Sequence, residues 1–152
     1  MDIEGIEIRG SADFILRTKE ALRMLGETQC FKQVQQYIDI IKEGQHSAMR
    51  GYDEKPTYEV GEPTWRSSPV WYAGTIVHDG YHSKLYQEAK AKSGGKEPIA
   101  DTWTGTEAEK KCLKYQLRAL RELNANERLI TYVEGLIKNP TYHKVEYEER
   151  RW

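Results

Sequence analysis

The stretch SPVWYAGTIVHDGYH, residues 68–82, decides how the rest of the chain is interpreted. Ser68 is a capping hydroxyl and Pro69 takes the first helical position, so together they predict the start of a helix. His78 and His82 are four residues apart and lie on one face of that helix, with Cβ atoms about 6 Å apart. Two imidazoles at this spacing can bind one tetrahedral metal ion, although two surface histidines that share a face would show the same spacing.

Hydrophobic periodicity and capping residues predict the other helices and strands of the chain. Ser11 and Asn126 are capping residues, and Gly44 and Pro140 mark helix ends. The predicted helices cover 12–25, 29–43, 69–91, 106–123 and 127–138. The predicted strands cover about 5–9 and 57–60, the second partly exposed and with 64–67 as its candidate partner. An aromatic and charged tail follows from 141 to 152. The predicted fold class is α+β, mostly helical with a small sheet, in a single domain over 1–152.

Composition excludes several classes of protein. The 152 residues include 4 Trp, 10 Tyr and 2 Phe, which is too aromatic for a disordered chain. The formal net charge of −1 gives no electrostatic basis for binding nucleic acid or an anionic membrane. No apolar run reaches the roughly 20 residues of a membrane span. Cys30 and Cys112 are too few for a disulfide scaffold, and no signal peptide is visible, so we expect a cytoplasmic protein. The sequence does not predict an oligomeric state.

Residues 78–82 are similar to the HExxH helix of zincin metallopeptidases, with Asp79 at the position of the glutamate. Downstream, residues 109–116 resemble the E-x-x-A-x-x-x-Q pattern of the helix that supplies the third ligand in gluzincin-type members, with Cys112 as the small residue. In order and spacing, the resemblance extends over residues 57–123 and implies an edge strand before the metal-binding helix.

The resemblance implies a function and a role for each matching residue. His78, His82 and Glu109 would be ligands of one zinc ion, and Asp79 would be the general base. The reaction would be hydrolysis of a peptide or amide bond in a peptide or protein substrate. Cys112 is expected to be a small buried residue behind the metal-binding helix.

The third ligand has a competing interpretation. Thr106 and Glu109 have the spacing of a capping box, in which Glu109 would only bond a backbone N–H. If the helix begins at Thr104 or earlier, Glu109 lies inside it and is free to face the metal. Glu107 is the alternative ligand.

Asp79 leaves the activity open. Aspartate is one methylene shorter than glutamate, so its carboxylate falls about 1.5 Å short of the usual position. A misplacement of about 1 Å can cost about 10²-fold in rate. The expected activity is therefore weak or lost, and the alternative is a non-catalytic binding module stabilised by its metal. Gly80 costs about 1 kcal/mol relative to Ala in a helix interior, and either admits a close neighbour or is simply tolerated.

Two further alternatives use the same residues. His78-Asp79 also resembles the doublet of HD-domain phosphohydrolases, with His46 upstream and Asp101 downstream, but those domains are all-helical and leave His82 without a role. A helical domain without any metal is the remaining alternative. His143 would reach the site only if the tail folds back.

Overall fold

The structure, a computed structural model, describes residues 2–152. Its strands are β1 (Asp2–Ile3), β2 (Ile6–Arg9), β3 (Ile40–Gly44), β4 (Ala48–Arg50) and β5 (Thr57–Gly61). Its helices are α1 (Ala12–Leu25), α2 (Phe31–Tyr37), α3 (Glu62–Trp65), α4 (Pro69–Lys92), α5 (Gly105–Glu122) and α6 (Glu127–Lys138). Short 3₁₀ turns cover Ala100–Thr102, Tyr142–Lys144 and Tyr147–Glu149. The predicted α+β class, mostly helical with a small sheet, is confirmed.

Three of the predicted helices begin at the capping residues that the sequence indicates. The Ser11 hydroxyl accepts a hydrogen bond from the amide of Phe14 at the start of α1. Ser68 caps α4 in the same way, and the Asn126 side chain caps α6. Each cap satisfies a backbone N–H that has no partner within the helix, so these helix starts are fixed by local chemistry.

The sheet formed by residues 2–152 has the order β1-β2-β3-β5-β4. Strands β2, β3 and β5 run parallel, and β1 and β4 are antiparallel strands at the two edges. The strand predicted at 57–60 is therefore present, but it is an interior strand and not partly exposed. Its predicted partner at 64–67 is wrong, because Glu62–Trp65 is helical. The edge strand that precedes α4 is β4, which the sequence analysis does not predict.

The predicted helix over 29–43 is also wrong in its second half. Helix α2 ends at Tyr37, and Ile38 already has extended backbone, with φ −126° and ψ 121°. Ile40 and Ile41 lie in β3, between the parallel strands β2 and β5, and both are buried. A central parallel strand is covered on both faces, so its apolar residues form a continuous run that also fits a buried helix.

Helix α4 is the central element of the core. Its buried residues Tyr72, Ile76 and Val77 belong to the main hydrophobic cluster, and its other side contacts α5. A Cβ built on Gly74 would lie 2.9 Å from a methyl of Leu120, so the two helices approach closely there. A Cβ on Gly80 would make only ordinary contacts, the nearest at 3.5 Å, so glycine is tolerated and not required at that position. No helix within residues 2–152 is both long and apolar enough to cross a membrane.

Candidate metal centre

The two histidines of α4 meet the carboxylate of one glutamate from α5. His78 Nε2 lies 3.1 Å from one oxygen of Glu109, and His82 Nε2 lies 2.8 Å from the other. The two imidazole centroids are 5.1 Å apart. Two nitrogens and a carboxylate that converge on one point are the donor set of three-ligand zinc sites that keep a fourth position open.

The other nitrogen of each ring is held by a carbonyl oxygen. His78 Nδ1 lies 2.9 Å from the side-chain oxygen of Gln116, and His82 Nδ1 lies 3.0 Å from the backbone oxygen of Trp103. A carbonyl oxygen only accepts, so Nδ1 donates in both cases. In a neutral imidazole, a proton on Nδ1 leaves the lone pair of Nε2 free to bind a metal. Hydrogen bonds from the second ring nitrogen commonly orient histidine ligands in this way.

Glu109, and not Glu107, faces the histidines. The Glu109 side chain is 9% exposed, whereas that of Glu107 is 80% exposed and pairs with Lys110. Helix α5 begins at Gly105, and the hydroxyl of Thr106 contacts His143 and does not cap the helix. Glu109 therefore lies inside the helix, where the capping box does not engage it.

The charges of the site are strongly coupled. Burial alone would raise the pKa of Glu109, but hydrogen bonds with His78 and His82 outweigh it and hold that pKa far below its usual range. Burial alone would lower the pKa of His82, yet the neighbouring Cys112 and Glu109 raise it well above its usual value. Without a metal, the raised pKa of His82 favours a proton on that ring, which compensates the buried carboxylate.

Cys112 is a second candidate for the third donor. Its sulfur and a ring nitrogen from each of His78 and His82 all lie within 4.8 Å of one another. The thiol is fully buried, as predicted, and burial raises its pKa. Glu109 has the closer contacts with both Nε2 atoms, and its carboxylate is already ionised, so it is the stronger candidate.

Asp79, the predicted general base, lines the same cleft as the two histidines. Burial raises its pKa, and the neighbouring His78 and His82 act in the opposite direction. Its carboxylate also interacts with Tyr58, whose pKa is raised well above its usual value by burial and by the charge of Asp79. Asp79 is thus half-buried beside the candidate ligands.

Tyr142 is a site residue that sequence reasoning missed. Its hydroxyl donates to Glu109 and lies 3.5 Å from His78 Nε2. It belongs to segment 141–152, which folds back from the end of α6 over the site. Residue His143 of the same segment contacts the Thr106 hydroxyl at 3.3 Å. Asn139-Pro140 indicated the end of α6, but no local signal in the sequence shows where the following chain packs.

The site opens into a cleft of about 1100 Å³. Residues 47–52, which include β4, line one side, and residues of α4 and α5 line the other. Trp71 and Trp103 are part of the wall, whereas Trp65 is buried in the core. The two further residues of the HD-domain interpretation have other surroundings. His46 packs edge-on against Tyr147, and Asp101 is exposed in a 3₁₀ turn.

No protein-family model matches the sequence, and searches of curated proteins and of solved structures return no significant match. The functional interpretation therefore depends on the geometry described above.

Proposed function

We propose that this protein binds one zinc ion through His78, His82 and Glu109 and is a zincin-like hydrolase of peptide or amide bonds. The observation that carries the proposal is the orientation of the two imidazoles. Both Nε2 atoms meet one carboxylate, and both Nδ1 atoms donate to carbonyl oxygens on the far side. A histidine pair that only packed in the core would not need its rings oriented toward a common point.

The metal would supply Lewis-acid chemistry, polarising a substrate carbonyl and lowering the pKa of a coordinated water to near 7. The chain contributes a proton acceptor beside it. Asp79 follows His78 directly and lines the cleft, and burial raises its pKa above the usual carboxyl value, which makes it a stronger proton acceptor.

Tyr142 would act as a hydrogen-bond donor in the same site. Burial first, and then the charge of Glu109, raise its pKa, so the hydroxyl keeps its proton. A neutral phenol can donate to an oxygen on which negative charge develops. In the present arrangement that hydrogen bond goes to Glu109.

The second candidate function is a non-catalytic binding module that zinc stabilises. The contact between Asp79 and Tyr58 favours it, because a carboxylate engaged by a phenol in the wall of the cleft is less available as a base. Under either function the zinc site is the same, so the two are separated by activity and not by metal content.

The first experiment measures metal content and hydrolysis on the full chain without a histidine tag. We expect about one equivalent of zinc per chain by elemental analysis. We also expect slow cleavage of a fluorogenic peptide library that stops on treatment with a chelator and returns with added zinc. If zinc is bound but no peptide is cleaved, the non-catalytic binding module is the supported function. If no zinc is bound, both proposed functions are wrong.

A second measurement identifies the third donor. Cobalt(II) replaces zinc in such sites, and a thiolate ligand gives it an intense near-ultraviolet charge-transfer band. We expect this band to be absent from the wild-type protein and the spectrum to be unchanged by Cys112→Ser. If the band is present and Cys112→Ser removes it, Cys112 and not Glu109 is the third ligand.

A further inference from the structure

Segment 141–152 crosses the cleft and contacts both of its sides. At its start, Tyr142 contacts Glu109 and His78 in the candidate metal centre. At its far end, residues 147–152 contact the edge strand and its neighbour. The segment thus extends from the candidate metal centre to the edge of the sheet.

The contacts at the sheet edge involve the polar groups that an added strand would use. The amide of Ser47, the residue before β4, donates to the backbone oxygen of Trp152 at 2.6 Å. The carbonyl oxygen of Ser47 accepts from the Arg150 guanidinium, also at 2.6 Å. The segment therefore occupies both backbone groups of the residue that directly precedes the edge strand.

Two further contacts hold the segment at this edge. The Tyr147 hydroxyl donates to Glu59 of β5, and its ring packs edge-on against His46. The backbone of Trp152 lies so close to Gly61 that a Cβ there would be 2.8 Å from the Trp152 carbonyl carbon. The segment is therefore docked at defined positions.

The docking is mainly polar and half-exposed. Among residues 141–152, none is buried, and Tyr147, Arg150 and Trp152 are of intermediate exposure. Polar contacts of this kind open more readily than packed apolar ones. The arrangement therefore suits a segment that leaves and returns while the core stays folded.

We propose that residues 147–152 are an internal occupant of the substrate cleft that excludes an extended peptide from β4 until they are released. The inference rests on the proposed function and deepens it, because it names the ligand class as an extended peptide that bonds the backbone of Ser47 beside β4. It also supplies a regulatory step, since release of residues 147–152 uncovers the edge of the sheet while Tyr142 keeps its contact with Glu109.

The test uses metal-free full chains and a labelled peptide with the sequence of residues 145–152. The double variant Tyr147→Phe/Arg150→Ala weakens the internal contacts, and Arg151→Ala, an exposed neighbour, is the matched control. We expect the peptide to bind the double variant about tenfold or more tightly than the wild type, the effect of losing one or two hydrogen bonds. Fluorescence anisotropy gives both affinities.

Hydrogen exchange of the Ser47 amide provides a second readout. We expect its protection to fall in the double variant, to stay at the wild-type level in Arg151→Ala, and to return when the peptide is added. Equal peptide affinity for all three proteins, or unchanged Ser47 protection in the double variant, would overturn the inference. Because no metal is used, failure here leaves the zinc proposal intact, and failure of zinc binding leaves this result intact.

Discussion

The cleft has two walls that differ in how their polar groups are held. In the wall formed by α4 and α5, His78 and His82 are largely buried, and each ring has a partner at both nitrogens. In the wall formed by β4 and segment 141–152, the contacts are half-exposed, and Ser47 is bonded by groups that arrive from the distant end of the chain. Burial makes an unpaired polar group costly, so the first wall has one stable arrangement, whereas the second can exchange partners.

The difference between the two walls indicates that they have different functions. The rigid wall has the geometry needed to hold an ion, since ligands must stay within a few tenths of an ångström of their positions. The exchangeable wall has backbone groups at Ser47 that could bond an incoming chain once Trp152 and Arg150 leave them. Substitutions in the rigid wall should therefore have the largest effects.

Removing one imidazole should have the largest effect. His82→Ala leaves two protein donors, which rarely hold zinc, so we expect the zinc affinity to fall by about 10³-fold or more. Competition with a chromophoric chelator measures the change. His143→Ala is the control, because that ring contacts Thr106 outside the donor set, and it should keep wild-type affinity. Retention of zinc by His82→Ala would show that the donor set is misassigned.

The two glutamates of α5 offer a matched pair. Glu109→Gln keeps the size and a hydrogen-bonding oxygen but removes the charge, and we expect zinc affinity to fall by about 10²-fold. Glu107→Gln changes an exposed residue and should leave the affinity unchanged. Isothermal titration with zinc checks both. The opposite order, with Glu107→Gln as the damaging change, would contradict the assignment of Glu109.

Asp79→Glu tests the reach of the candidate base. The longer side chain restores the missing methylene without changing charge, and we expect peptide turnover to rise, by as much as about 10²-fold. Asp79→Asn should abolish turnover while zinc remains bound. A lower rate in Asp79→Glu than in the wild type would mean that the surrounding backbone already suits aspartate. No turnover in any variant would favour the binding module.

Zinc affinity should rise with pH through the neutral range. The pKa of His82 is raised in the metal-free protein, so the ring carries a proton at neutral pH that zinc must displace. We expect a gain of up to about tenfold in affinity per pH unit while one proton is released, with no further gain above the raised pKa. Titration calorimetry in buffers of different ionisation enthalpy counts the protons. A pH-independent affinity from pH 6 to 8 would contradict the coupling.

The same groups set the stability of the metal-free protein in opposite directions. The raised pKa of His82 stabilises the fold at low pH, and this contribution is lost as pH rises through the raised value. The lowered pKa of Glu109 stabilises the fold above its usual pKa, and this contribution is lost in acid. Thermal melts of the chelated protein should therefore show a maximum between these limits.

Local signals predicted three helix starts and the common face of the two histidines. Ser11, Ser68 and Asn126 have capping side chains that act within three residues, so the starts of α1, α4 and α6 follow from the sequence. The spacing of His78 and His82 likewise fixes their common face, because helix geometry alone determines it.

Features that depend on distant parts of the chain could not be predicted in this way. The residues of β3 fit a helix as well as a strand, because this central strand does not alternate between apolar and polar residues. Its position between the parallel strands β2 and β5 removes the exposed face that would require the alternation. Strand β4 has only three residues, too few for a period. The position of Tyr142 depends on how segment 141–152 packs, which no residue of that segment specifies locally.

The contacts of Trp152 and Arg150 with Ser47 should affect the solubility of the protein at high concentration. An uncovered strand at the edge of a sheet can pair with the edge strand of another molecule and seed aggregation. Strand β4 is short, and the contacts from Trp152 and Arg150 occupy the outward-facing groups beside it. The residues that close the cleft thus also prevent the sheets of two molecules from pairing edge to edge. A protein in which these residues are released should therefore aggregate under conditions in which it is still folded.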